Sequence, residues 1–171
     1  MLPDAGAPST TQLTLGYSQA EDRLVLWLGE GTEALHLTRR LTGLLINGLA
    51  GVLARSSATA AQAPADLRND VVGMERQGAI AAAAVSPAAP TALPPPGPAH
   101  LIEAVDIATL PTTFRLAFRT PAALTVGVLV LSRAEMHQVV DLLRRQSELA
   151  QWALPVTAPW LNDTHGALVV N

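Results

Sequence analysis

The sequence predicts an α+β protein: two antiparallel β-β-β-α half-repeats with an intervening helix, in a pseudo-two-fold arrangement. Three observations predict it. Leu37-Thr38-Arg39 is echoed by Leu131-Ser132-Arg133, and each tripeptide closes a run of apolar–polar alternation and opens a run of helical periodicity. Upstream, Leu24, Leu26 and Leu28 alternate as Phe114, Leu116 and Phe118 do. Between the halves, Pro87 to Pro98 holds six prolines in twelve residues, which no helix or central strand survives. The division that follows is a flexible tail over 1–10, a first half with the intervening helix over 11–86, a Pro-rich linker over 87–99, and a second half with an irregular C-terminal tail over 100–171.

Each element has its own local reason. Leu13, Leu15 and Tyr17 share one face of an edge strand. Ser18 to Asp22 is turn-like, and Arg23 to Leu28 is the strongest strand of the first half. Gly29 and Gly31 supply the following turn, and Ala34 to Leu37 returns with Leu35 and Leu37 inward and His36 on the opposite side. Thr38 is an N-cap. Leu41, Leu44, Leu45, Leu49, Val52 and Leu53 then form an apolar stripe to about Arg55. Gly43, Gly48 and Gly51 inside it each cost about 1 kcal/mol relative to alanine, so this face is expected to pack tightly. Ser56 to Pro64 reads as a small-residue loop. A second helix begins at Pro64-Ala65-Asp66 and ends near Ser86, with Leu67, Val71, Met74, Gly78 and Ala81 inward and Arg68, Asp70, Glu75 and Arg76 outward.

In the second half, Val105 and Ile107 mark a strand and Thr113 to Arg119 alternates with Phe114, Leu116 and Phe118 on the core side. Leu124 to Leu131 is almost continuously apolar, as a central strand is. Ser132 and Glu135 make a capping box, and Met136, Val139, Val140 and Leu143 form the next stripe. His137 beside it is expected at the surface or boundary. Beyond Ala150, either Leu154 and Val156 add a short strand or Trp152 and Trp160 pin the tail to the body.

Composition narrows the function classes. The 171 residues suit one domain or two packed halves, and 49% are hydrophobic, but much of that is alanine, so burial rests on Leu and Val. Cysteine is absent, which removes disulfides, thiolate metal sites and a thiol nucleophile. No basic leader with an apolar core precedes the fold, and no apolar run reaches the ~20 residues of a membrane span, so the expectation is a cytoplasmic protein without a membrane span. All eleven basic residues are arginine, a GC-rich, bacterial pattern that also accounts for the alanine, proline and glycine. The net charge of −3 disfavours a general phosphate-binding surface.

No catalytic, metal or cofactor motif emerges. His36, His100, His137 and His165 are not at metal-ligand spacing, and Gly29-x-Gly31 lies in a hairpin turn rather than between strand and helix. Glu21-Asp22, Glu103 with Asp106, and Asp66 with Asp70 are not placed in one cleft. The provocative feature is Arg39-Arg40 in the first turn of a helix, where the macrodipole disfavours cations by about 0.3–1 kcal/mol. Arg133 holds the matching place in the second half. These arginines either pair with acids such as Glu21 or Asp22 or recruit an external anion. Arg39, Arg40, Arg133, Glu21 and Asp22 are therefore the candidate interaction surface.

The stretches Tyr17-Ser18-Gln19-Ala20-Glu21-Asp22-Arg23-Leu24, Leu35-His36-Leu37-Thr38-Arg39-Arg40-Leu41 and Met74-Glu75-Arg76-Gln77 resemble a family of uncharacterised small bacterial proteins. That resemblance implies a shared fold and no known activity. In outline, the twice-used strands-then-helix order is similar to whirly-like and Pur-type single-strand nucleic-acid binders, whose sheets are basic with stacking aromatics. This chain offers only Tyr17, Trp27, Phe114, Phe118, Trp152 and Trp160. The expected function is a non-catalytic protein–protein interaction or assembly protein, binding an unknown protein partner or itself. A nucleic-acid-binding module is the alternative.

Overall fold

The computed structural model describes residues 9–85 and 97–162. The expected leading tail up to residue 8, most of the Pro-rich linker, Ser86, His165 and the last nine residues lie outside them. Among the described residues the chain is mixed α+β, with five α-helices and eight strands in two four-stranded, mostly antiparallel sheets.

The alternating runs form strands as their period dictates. β1 is Ser9–Thr10, β2 Leu13–Ser18, β3 Arg23–Leu28 and β4 Ala34–Leu37; β5 is Ala99–Leu101, β6 Ala104–Thr109, β7 Phe114–Arg119 and β8 Thr125–Leu131. β2, β3 and β4 make an antiparallel meander, with Leu15 opposite Leu26 and Leu26 opposite Leu35. β6, β7 and β8 make another, with Ile107 opposite Leu116 and Leu116 opposite Leu129. Each meander gains a fourth strand from the other part of the chain. β1 lies parallel to β8, Ser9 against Val128, and β5 lies parallel to β4, Leu35 against His100.

Helix α1, Arg39–Ser56, follows β4, and α4, Arg133–Leu149, follows β8. Both expected caps form: the Thr38 hydroxyl accepts from Leu41 N, and Ser132 and Glu135 close a capping box. Ser132→Ala is expected to cost about 1 kcal/mol, read as a lower denaturant midpoint with an unchanged slope; full stability would mean that the box contributes nothing to α4. The two helices pack on each other and each reaches both sheets, α1 touching β3 and β6 and α4 touching β8 and β2. Leu24, Leu35 and Leu37 from one sheet, Leu116, Phe118 and Leu129 from the other, and Leu49, Leu53, Met136 and Val140 from the helices form one buried core. Each large side chain there is worth about 1.5–3 kcal/mol of burial.

Four local expectations need correction. The buried face of α1 is Thr42, Leu45, Ile46, Leu49, Ala50 and Leu53, so Leu44 points out and is 57% exposed. Thr42 tolerates the interior because its hydroxyl donates to Thr38 O at 3.0 Å. The expected loop after Ser56 holds a short helix, α2, Ala58–Gln62, capped by Ser57. A 3-10 turn, Ala65–Leu67, precedes α3, Arg68–Val85. Among the described side chains of α3 the buried ones are Val72 and Ala79, whereas Met74 is 68% exposed; Glu75 and Arg76 turn inward because α4 supplies their partners. His137 is not at the surface: it is 1% exposed, with the Trp160 ring edge-on at 5.4 Å.

At the C-terminus the pinned-tail alternative describes the structure. Residues 151–158 form no strand, α5 is Pro159–Asn162, and Trp152 and Trp160 are buried.

Candidate functional site

The sequence-chosen residues gather mainly where α1 begins. Asp22, in the β2–β3 turn with φ of +50°, accepts from the Tyr17 hydroxyl at 2.7 Å and from Trp152 Nε1 at 2.6 Å. Those two hydrogen bonds, Trp152 first, hold its carboxyl below the ordinary aspartate range, aided by the Arg39 charge. The Tyr17 phenol is raised in turn, chiefly by its bond to Asp22. Tyr17 and Trp152 meet edge-to-face at 6.0 Å, a favoured aromatic geometry. The Arg39 guanidinium donates to the Trp152 carbonyl. Trp152 is thus clasped from three sides, and its neighbours Gln151 and Ala153 both adopt positive φ, +57° and +48°, a conformation that costs energy for residues with a Cβ.

From this clasp the segment 152–157 runs as a strap along α1. Asn47 fixes it: its Nδ2 donates to Pro155 O at 2.9 Å and its Oδ1 accepts from Thr157 N at 2.9 Å. Between helix and strap lies a groove of about 480 Å³, lined by Arg39, Arg40, Gly43, Leu44, Asn47, Leu154 and Pro155. Arg40 is exposed and has no ion pair among the described residues. The groove offers an apolar floor beside an unpaired guanidinium, and no acidic side chain is among its lining residues.

The remaining chosen residues go elsewhere. Glu21, in the β2–β3 turn, pairs with His36 Nδ1 on β4 at 2.8 Å. Arg133 belongs to a separate junction of α1, α3 and α4. Its Nε and Nη2 contact Glu75 Oε2 at 3.0 and 2.8 Å, and its Nη1 donates to Ser56 Oγ at 3.0 Å. Ser57 Oγ donates to Glu75 Oε1 at 2.7 Å. Burial works to raise the Glu75 pKa, but the bonds from Ser57 and Arg133 and the Arg133 charge outweigh it, so the carboxyl is lowered. His137 Nε2 lies 3.6 Å from Glu75 Oε2, beyond hydrogen-bond reach. Burial first, then the Arg133 charge, lowers the His137 pKa to about 4, so its ring is neutral at pH 7. Next to it Asp141 bonds Arg76 at 2.6 Å and also Arg145.

Arg39 and Asp22 are therefore brought together through Trp152, Arg40 stands beside them, and Glu21 and Arg133 are engaged in other pairs. The strap residues Leu154 and Pro155 and the clamp Asn47 went unchosen in the sequence. The one available signal was an amide in the middle of a helix, at a position its own backbone does not need.

Among the described residues no three His, Asp or Glu side chains group as a metal site, and no helix is long and apolar enough to cross a membrane. Of the six aromatics, Phe114, Phe118, Trp152 and Trp160 are buried, and Tyr17 and Trp27 are partly covered. No family model matches the chain, nor does any curated protein or solved structure.

Proposed function

We propose that the protein is a non-catalytic interaction module that captures a protein partner at the groove between α1 and the strap. The observation that carries this reading is Leu44. It is a large apolar side chain, 57% exposed, on a rigid helix, at the floor of a groove whose rim carries the unpaired Arg40. An exposed apolar side chain in a groove, beside an arginine of the kind enriched at interfaces, offers a partner both area to bury and a charge to pair. Asn47 and Arg39 hold the opposite wall, so the groove is preformed and little ordering entropy opposes binding. Partner recognition through nucleic acid is less well supported, because four of the six aromatics are buried and the net charge is −3.

The test compares nuclease-treated affinity purifications of the full chain and its Leu44→Asp variant from the cells that make it. Leu44 is exposed, so the substitution is expected to leave thermal unfolding within about 0.5 kcal/mol of the parent. A stoichiometric partner retained by the parent and lost by the variant is the expected result. Recovery that vanishes with nuclease, or that is equal for both chains, overturns the proposal.

A further inference from the structure

A buried polar atom without a partner marks a place where the fold is held together at a cost. Such atoms gather where α5 meets α3 and α4. Both ring nitrogens of His137, Nε1 of Trp160 and Nε of Arg76 are buried and unbonded among the described residues. His137 on α4 is 1% exposed and Trp160 on α5 is 2% exposed, and their ring centroids lie 5.4 Å apart.

Of the elements that enclose His137, α5 is the one that can leave by itself. It is four residues long. Its hold on the body is the burial of Trp160 and Leu161 and a hydrogen bond from Arg144 to Leu161 O. Hollows flank it on both sides, one of about 420 Å³ where Trp160 meets Asp70, Gly73 and Gln77 of α3, the other of about 250 Å³ between Arg144 and Asn162. By contrast, α3 and α4 are tied directly to each other by Glu75 with Arg133, Arg76 with Asp141, and Gln138 with Ala79 O. The strap ahead of α5 is tied to α1 by Asn47.

We propose that α5 is an acid-released latch: protonation of His137 undocks Pro159–Asn162 from α3 and α4, while the strap and the paired helices stay in place.

The groups around the ring set the direction. On its own helix His137 has Arg133 one turn before it and Asp141 one turn after it; α3 brings Glu75 and Arg76, α1 brings the Ser56 and Ser57 hydroxyls, and α5 brings Trp160, which carries no charge. Asp141 is taken by Arg76 and Arg145. The Glu75 oxygens already accept from Ser57 and Arg133. An imidazolium here has two N–H donors, two guanidinium groups nearby and no water at its ring, whereas undocking Trp160 lets water reach it. The enclosed ring has a pKa of about 4, against 6.5 for a free one. The proton therefore favours the undocked state, and the undocked fraction rises about twentyfold between pH 7 and pH 5.

The experiment uses the full chain labelled with fluorotryptophan, in which Trp27, Trp152 and Trp160 report separately by fluorine NMR. On acidification from pH 7 to pH 5 the Trp160 signal is expected to gain the solvent-isotope shift of an exposed indole. The Trp152 signal and the far-ultraviolet circular dichroism hold, and the His137 ring titrates over the same range. In His137→Phe, Trp160 stays buried at pH 5. A Trp160 signal that stays buried in the parent overturns the proposal. So do Trp152 and Trp160 changing together with loss of circular dichroism, and an unchanged Trp160 profile in His137→Phe. The ring titration needs no substitution, so separate midpoints for His137 protonation and Trp160 exposure overturn the proposal even if the variant does not fold. The latch does not involve the α1 groove, and its failure leaves the interaction reading as it stands.

Discussion

Replacing Glu75 by alanine is expected to lower folding stability by roughly 3 kcal/mol, the range found when one partner of a sequestered ion pair is removed. The loss is not the value of the pair itself. It comes from what stays behind: the Arg133 guanidinium, held between α1 and α3 with Ser56 Oγ as a remaining acceptor, and the Ser57 hydroxyl, buried with its acceptor gone. Removing the arginine as well, in Glu75→Ala with Arg133→Met, leaves no orphaned charge and is expected to recover one or more kcal/mol of the sum of the single losses. Chemical denaturation of the four proteins closes the cycle. A loss below about 1 kcal/mol for Glu75→Ala would show that water replaces the carboxylate at this junction.

Acid is expected to destabilise the fold well above the carboxylate range. A folded-state pKa of about 4 for His137, against 6.5 in the unfolded chain, means that the unfolded state takes up its proton first. The contribution is complete above pH 6.5. It falls at about 1.4 kcal/mol per pH unit as pH descends toward 4, to a total of roughly 3 kcal/mol, and levels off below. Glu75, whose folded pKa is depressed, adds a further loss as pH falls through its own folded value. His137→Phe keeps an aromatic ring against Trp160 and removes the titration. Its denaturant midpoint is expected to stay nearly flat from pH 7 to pH 4.5 while that of the parent drops. Parallel profiles for the two proteins would assign the acid sensitivity to other groups.

What could be read from the sequence was local. Strands β2, β3, β4, β6, β7 and β8 declare themselves by period-two alternation, and Thr38 and Ser132 by the chemistry of helix starts, which involves residues only three apart. What could not be read was set by distant partners. The apolar stripe expected on α1 includes Leu44, which lies beside the true face, and leaves out Thr42, whose hydroxyl is satisfied on Thr38 O one turn back; which of the two turns inward is decided by the sheets and α4 packed on that face. On α3, alanine and glycine spread so evenly that burial area hardly distinguishes one face from another. The face is chosen by Glu75 and Arg76 finding Arg133 and Asp141 on α4. His137 is buried by Trp160, and Trp152 by Tyr17 and Asp22, contacts that no periodicity encodes. The short strands β1 and β5 are too brief to carry a period, and their partners β8 and β4 lie far along the chain. At the candidate site, the oddity of Arg39-Arg40 in a first helical turn was visible, but the strap that makes a groove of it was not.

Those two short strands also govern how the protein comes apart. Each meander is finished by a piece of chain that starts the opposite meander, so neither sheet has all four strands until both exist. Ser9 on Val128 joins the beginning of the described chain to its final strand, a contact of the kind that forms late and slowly. Melting one sheet strips the edge from the other, and the two halves are interlocked as folded hands are, loosened together or not at all. Amides in Leu24–Leu26 and Leu129–Leu131 are therefore expected to exchange slowly and together, through one opening event, when native-state hydrogen exchange is followed.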